Sequence, residues 1–319
     1  MKNKAKIRLL MRGQGMNRRD FLKWQAKGAL LLASGGMIPP TRVLAETIPD
    51  VAVVTGKPAT AARAAVDLLG GMGMFVKKGN KVVIKPNFSF ANPPEAATTT
   101  HPEVVRELFV MCKEAGAASV LILDNPLNAA ELCLEQSGVR SACESVEKGA
   151  IQALDDARFY REAAIPQGKS FRKTEVMTDV LEADVLISAP VAKSHSGAGV
   201  SLSMKNLMGL IWNRRVMHSR HDLHEAIVDL ASLLRPDLCV IDATRVLTTN
   251  GPGGPGKVDR LDTVIASRDM VAADAEAVLL SEWYGKRFAP RQVKHIALAH
   301  ERGLGRMDVE NLSVKRINL

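Results

Sequence analysis

The chain has 319 residues, with 43 Lys and Arg against 34 Asp and Glu and only 4% aromatic residues. Ten of the basic residues but a single acid, Asp20, fall in residues 1–45, so the remaining 274 carry 33 of each sign and a formal net charge of zero. That balance excludes the basic footprint of a nucleic-acid binder, and so few rings leave no platform for stacking bases.

Residues 16–45 read as a twin-arginine export signal. Arg18 and Arg19 sit in an N-R-R-D-F-L-K stretch, a modest apolar run follows from Gly28 to Ile38, and a small-residue end at Val43-Leu44-Ala45 resembles a cleavage site. The apolar run is too short for an ordinary transmembrane span. The expected partner during export is the twin-arginine translocase, and the expected location is periplasmic or otherwise exported, with no stable span left after cleavage. Met16 is a second possible start beside Met1. Residues 46–319 are expected to form one α/β domain.

From Val51 onward, short β-branched runs alternate with longer amphipathic ones. Strands are predicted at Val51–Val54, Lys81–Lys85, Ser119–Leu123, Asp184–Ser188, Leu238–Ile241 and Thr263–Ala266. Helices are predicted at Ala61–Leu69, Pro102–Ala115, Leu202–Leu210, Leu223–Leu234, Ala272–Trp283 and Pro290–His300. The alternation implies a mostly parallel sheet with helices on both faces. The less regular stretch at about 137–178 suits an insertion or a small cap.

In open α/β sheets, ligands bind beyond the carboxyl ends of the strands. Four predicted strands end in chemically capable residues: Lys85-Pro86-Asn87, Asp124-Asn125, Lys193-Ser194-His195 and Asp242-Ala243-Thr244. Residues 188–206 are the richest segment. A loop of small residues carrying Lys193 and His195 leads into a helix bearing Lys205 and Asn206, a composition suited to a carboxylate or phosphate. The expected site is therefore Lys85, Asn87, Asp124, Lys193, His195, Lys205, Asn206 and Asp242 around a small anionic ligand.

His218, His221 and His224 follow at three-residue steps. With His195 they could ligate a divalent metal, serve as acid–base or hydrogen-bonding groups, or lie on the surface. No cofactor is otherwise indicated. The glycine- and proline-rich run 250–256 is a connector or a ligand-covering loop, and Asp269 reads as a helix cap. Cys112, Cys133, Cys143 and Cys239 form no grouped motif, which argues against an iron–sulfur cluster, although export permits a Cys133–Cys143 disulfide. Gly168-Lys169-Ser170 imitates the end of a P-loop but lacks its earlier glycine, because position 163 is Ala.

Taken together, the segments resemble the family known as domain of unknown function 362, from about Val51 to Leu312. The resemblance rests on Lys85-Pro86-Asn87, Thr100-His101-Pro102, Gly116 with Asp124, Asp184, and Lys193-Ser194-His195. It continues through Lys205-Asn206-Leu207-Met208-Gly209, His218 and His224, Asp242, Gly253-Gly254-Pro255, Ser267-Arg268-Asp269 and Asp274. Some members carry ferredoxin-type cysteine clusters with proposed redox roles, which this sequence does not share. Three functions are compatible: an exported enzyme with a Lys/His crevice and redox or metal-assisted chemistry, a non-catalytic binder of an anion or metal, and an accessory factor for an exported redox enzyme.

The translocase reads the guanidinium pair rather than charge alone. An Arg18→Lys, Arg19→Lys double variant should therefore stay in the cytoplasm, as cell fractionation would reveal. Undiminished export of that variant would remove the assignment.

Overall fold

Runs such as Val82-Val83-Ile84 and Val185-Leu186-Ile187-Ser188-Ala189 are apolar on both strand faces, which water tolerates only where both faces of the sheet are covered. The computed structural model describes residues 47–319, and the segment expected from sequence to be an export signal lies outside the described residues. In chain order the strands are β1 (Val51–Thr55), β2 (Lys81–Pro86), β3 (Ser119–Asp124), β4 (Ile151–Ala153), β5 (Tyr160–Ala164), β6 (Lys173–Met177), β7 (Val185–Ala189), β8 (Val191–His195), β9 (Gly199–Ser201), β10 (Leu238–Leu247), β11 (Val258–Ser267) and β12 (Val314–Asn318). The α-helices are α1 (Pro58–Leu68), α2 (Pro102–Glu114), α3 (Ala130–Gln136), α4 (Val139–Glu144), α5 (Thr178–Leu181), α6 (Ser203–Asn206), α7 (Arg215–Ser219), α8 (Leu223–Leu233), α9 (Met270–Leu279) and α10 (Lys294–Glu301).

The main sheet runs in the order β12-β1-β11-β10-β7-β2-β3-β4, and within that path only β11 opposes its neighbours. Alternation divides each strand between two cores. Val82, Ile84 and Ile122 point to a core built with Ala61, Ala65 and Val66 of α1 and Leu108 and Phe109 of α2. Val83, Leu123 and Ile241 point to the other, filled by Ile227 and Leu230 of α8 and Val271 and Val278 of α9. Proline at the first turn starts both α1 and α2. Asp222 caps α8 by accepting from His224 N and Glu225 N, and Asp269 caps α9 by accepting from Val271 N and Ala272 N, the cap expected from sequence. Among the described residues no helix is long and apolar enough to cross a membrane.

Several boundaries differ from the sequence reading for identifiable reasons. The Leu238 and Thr263 strands each extend to ten residues because β10 and β11 pair along their whole length, around a bulge between Ala243 and Arg245. The helix expected at 202–210 is a single α-turn, α6, followed by a tighter 3₁₀ turn at Leu207–Leu210. The stretch at 137–178 is divided. β4 joins the edge of the main sheet, whereas β5 and β6 form a separate antiparallel hairpin. The Cys133 and Cys143 thiols are free and buried, as are the other two.

The false P-loop has a structural use. Backbone N–H groups of Lys169, Ser170 and Phe171 donate to the buried Asp229 carboxylate on α8 at 2.9–3.0 Å, and Arg302 pairs with it at 2.6 Å. Burial pushes the Asp229 carboxyl up, but these donors outweigh it and hold the group below the ordinary carboxylate range. The anion gathered by this loop is a side chain of the protein itself.

Candidate functional site

The base of the site is a buried ion pair. Lys85 near the end of β2 and Asp124 at the end of β3 are both inaccessible to water, with Nζ 3.0 Å from Oδ1. Lys85 also donates to the Pro86 carbonyl and, at 3.1 Å, to Asn206 Oδ1. The other oxygen of Asp124 accepts from Phe88 N and Ser89 Oγ at 2.9 and 3.1 Å, fixing the chain that leaves β2. Asn206 returns the contact by donating Nδ2 to the Lys85 carbonyl at 2.8 Å. Gly209 closes over this group, where a β-carbon would overlap Asp124 Oδ1 and lie 2.6 Å from Lys85 Cε. Only glycine allows the backbone so close.

The next layer corrects the sequence reading of Lys193 and His195. They lie on a strand, β8, rather than in a loop, because Pro190 ends β7 and the chain resumes extended beside β10. β8 then folds back on β9, pairing Lys193 with Ser201 and His195 with Gly199. Period-two geometry puts Lys193 and His195 on one face. Lys193 Nζ donates to Asn87 Oδ1 at 3.0 Å and to the Thr98 carbonyl at 2.6 Å, and lies 4.7 Å from the centre of the Phe90 ring.

Asp242 stands apart from this group. It falls in the middle of β10, not at a strand end, and its carboxylate accepts from His101 N, Thr244 N and Thr244 Oγ1 at 2.6–2.9 Å. It thereby anchors the turn whose Thr98 carbonyl meets Lys193. The glycine-rich run also contributes. Gly251 N donates to Ser194 Oγ at 3.0 Å, and Pro252 reaches the cavity wall.

These elements enclose a cavity of about 310 Å³, at the small end of ligand sites. Asn87, Lys193, His195, Lys205 and Asn206 line it, whereas Lys85, Asp124 and Asp242 do not. The sequence reading missed Ser89, Phe90, Ser201, Met208, Arg214 and Arg215, which also form the wall. The Arg214-Arg215 pair was the available signal, but adjacent arginines after a helix are ordinarily solvated. Among the described residues the wall has four Lys and Arg side chains and no Asp or Glu.

Burial dominates the electrostatics. It lowers Lys193 to about 7, offset in part by Asp124 and reinforced by Lys205 and Lys85, and lowers Lys205 to about 7 with repulsion from Arg214. Lys85 is lowered by burial in the same way, against the pull of Asp124. His195 is pushed down to about 2 by burial, then by the charges of Lys205 and its neighbours, so it is a neutral imidazole at any physiological pH. Its Nδ1 accepts from Gly197 N and Ala198 N, both at 3.1 Å. The ring proton therefore sits on Nε2.

That tautomer bears on the metal expectation, since a protonated Nε2 and an occupied Nδ1 leave His195 no lone pair for a metal. The four candidate histidines also divide. His218 stacks on His195 at 6.0 Å, His221 meets the Phe171 ring edge-on at 5.2 Å, and His224 stacks on His295 at 5.7 Å. Among the described residues no group of three or more His, Cys, Asp or Glu side chains is arranged to hold a metal ion. His295, which the sequence reading passed over, is fully buried, with burial lowering it to about 3 and with neither ring nitrogen partnered among the described residues.

A family model described as "Domain of unknown function (DUF362)" matches residues 82–278, which contain every cavity residue named above. The thylakoid-associated protein sll1697 of Synechocystis sp. is 30% identical over 223 residues, covering 66% of this chain and 66% of that protein. Two solved structures align with 70% of this chain. One is the lactate racemase apoprotein from Thermoanaerobacterium thermosaccharolyticum, at TM-score 0.46 and 15% identity over 55% of that chain. The other is a protein from Thermotoga maritima, at TM-score 0.41 and 12% identity over 59% of that chain. The chain thus spans about two thirds of the curated relative's length and little more than half of each solved chain.

Removing one partner of a buried pair leaves the other charge uncompensated. Asp124→Asn should cost about 3–5 kcal/mol in denaturant unfolding. Gly209→Ala, which drives a methyl group into the same pair, should cost about 1–3 kcal/mol. A loss below about 1 kcal/mol for Asp124→Asn would mean that the pair does not carry the base of the site.

Proposed function

The chain belongs to the domain of unknown function 362 family, and we propose that it is an enzyme that binds a small carboxylate- or phosphate-bearing molecule in the Lys/His cavity and moves a proton on it. The carrying observation is the wall itself: Lys193, Lys205, Arg214 and Arg215 face about 310 Å³ of space with no acid among the described lining residues. Of the four, Lys193 and Lys205 are buried, Arg214 is half-buried and Arg215 exposed. Burying the two lysines with no carboxylate in the wall costs free energy, and a bound anion would offset that cost. Arg214 and Arg215 supply planar guanidinium groups suited to a carboxylate or phosphate. Lys193 has already given two of its three donor positions to Asn87 and Thr98, leaving one for the ligand.

Proton transfer is supported by groups whose protonation differs within one small space. Lysines lowered to about 7 exchange protons at neutral pH, and His195 offers a neutral Nε2–H donor beside them. Export is the second part of the proposal. It rests on Arg18, Arg19 and the apolar run after them, and a relative named for thylakoid association is compatible with it.

The titration has a definite sign. Without ligand, Lys193 and Lys205 lose their protons as pH rises through about 7, because burial has lowered both. An anion held on Lys193 favours the charged form of that amine, so binding above pH 7 must take up a proton there and weaken as pH rises. Below that point the amines are already charged, and uptake should vanish. Calorimetry with oxalate in buffers of different ionisation enthalpy would measure this uptake directly. Lys193→Met should weaken oxalate binding about tenfold or more, the loss of one hydrogen bond to a charged group. Oxalate binding that is indifferent to both pH and this substitution would overturn the reading.

A further inference from the structure

The two cavity lysines are treated differently by their surroundings. Lys193 has an amide oxygen, a backbone carbonyl and an aromatic face, all of which favour an ammonium ion. Among the described residues no oxygen accepts a hydrogen bond from Lys205 Nζ, and no carboxylate raises its pKa. Yet the residue is held firmly. Its short helix α6 starts on the buried Asp274 carboxylate, which accepts from Ser203 N at 2.7 Å and Met204 N at 3.1 Å, and the adjacent Asn206 is fixed by Lys85. A buried amine that is positioned, unpaired and facing a cavity has the attributes of a nucleophile.

We infer that Lys205 forms an imine with a 2-oxo acid whose carboxylate is held by Lys193, Arg214 and Arg215. The inference rests on the anion-site reading above and narrows it to a carbonyl compound. The neutral Lys205 amine adds its lone pair to the ketone carbon, making the C–N bond while the carbonyl π pair moves to oxygen. That oxygen takes a proton as the nitrogen gives one up, forming a carbinolamine. A second proton, delivered from the Lys193 ammonium while His195 Nε2–H hydrogen-bonds to the hydroxyl oxygen, lets the hydroxyl leave as water. The nitrogen lone pair forms the C=N bond, and loss of the remaining N–H proton restores the Lys193 ammonium. The sum is amine plus ketone giving imine plus water, with no oxidant or reductant. Lowering of Lys205 to about 7 supplies the unprotonated amine at neutral pH.

The test incubates the full chain with pyruvate and sodium cyanoborohydride near neutral pH and maps the reduced adduct by peptide mass spectrometry. In parallel, thermal stabilisation by pyruvate and by oxalate, which has no ketone, reports binding alone. One adduct should appear on Lys205, forming about a hundredfold or more faster than on an ordinary surface lysine of pKa about 10.4. It should be absent from Lys205→Arg, which keeps the cation and should still be stabilised by oxalate. Stabilisation by both acids without enrichment at Lys205, or with the adduct on Lys193, would overturn the imine while leaving the anion site standing. No stabilisation by either acid together with no Lys205 adduct would overturn both.

Discussion

The buried contact between Lys85 and Asp124 fixes the geometry on which the cavity depends. Two charges at 3.0 Å in a water-free interior lose hydration that their attraction alone repays poorly, so each must be saturated by further hydrogen bonds. Those bonds reach outward. The second Asp124 oxygen fixes Phe88 and the wall residue Ser89, while Lys85 holds Asn206 and hence α6, which carries Lys205. Gly209, in the tighter turn that follows Asn206, lies against the pair. The same contact that stabilises the sheet edge therefore positions two cavity residues.

Around this base, acids and bases are sorted by depth. Asp124, Asp242 and Asp274 are buried, and their oxygens are spent on Lys85, Arg245 and backbone or hydroxyl donors. The surplus positive charge is left facing the cavity. His195 completes the pattern: burial keeps the ring neutral and backbone donors on Nδ1 put its proton on Nε2, so it adds a hydrogen-bond donor without adding another charge. Such an arrangement suits the anionic ligand proposed above.

Much of the fold was legible because its strands are buried on both faces, and continuous β-branched runs flanked by amphipathic helices say so. The rule that ligands gather at strand ends also found Asn87, Lys193, His195, Lys205 and Asn206, which line the cavity. It failed for Asp242, because β10 continues five residues past the point where its apolar run breaks, held by pairing with β11. It mistook β8 and β9 for a loop, because Lys, Ser, His and Gly are poor strand formers and only pairing with β10 and with each other makes them extended. The histidine spacing suggested a ligand set, but the turn between α7 and α8 sends His218, His221 and His224 to different neighbours. Arg214 and Arg215 could not be recognised as cavity residues without the fold that brings them to its wall.

The most direct test is an anomalous difference map from crystals of the protein soaked in selenate, an oxyanion that serves as a heavy-atom stand-in for a carboxylate or phosphate. If the cavity is an anion site, selenium density should appear within it, with oxygens about 2.7–2.9 Å from Lys193 Nζ and an Arg214 or Arg215 guanidinium. A cavity free of selenium, in crystals that bind selenate elsewhere on the surface, would contradict it.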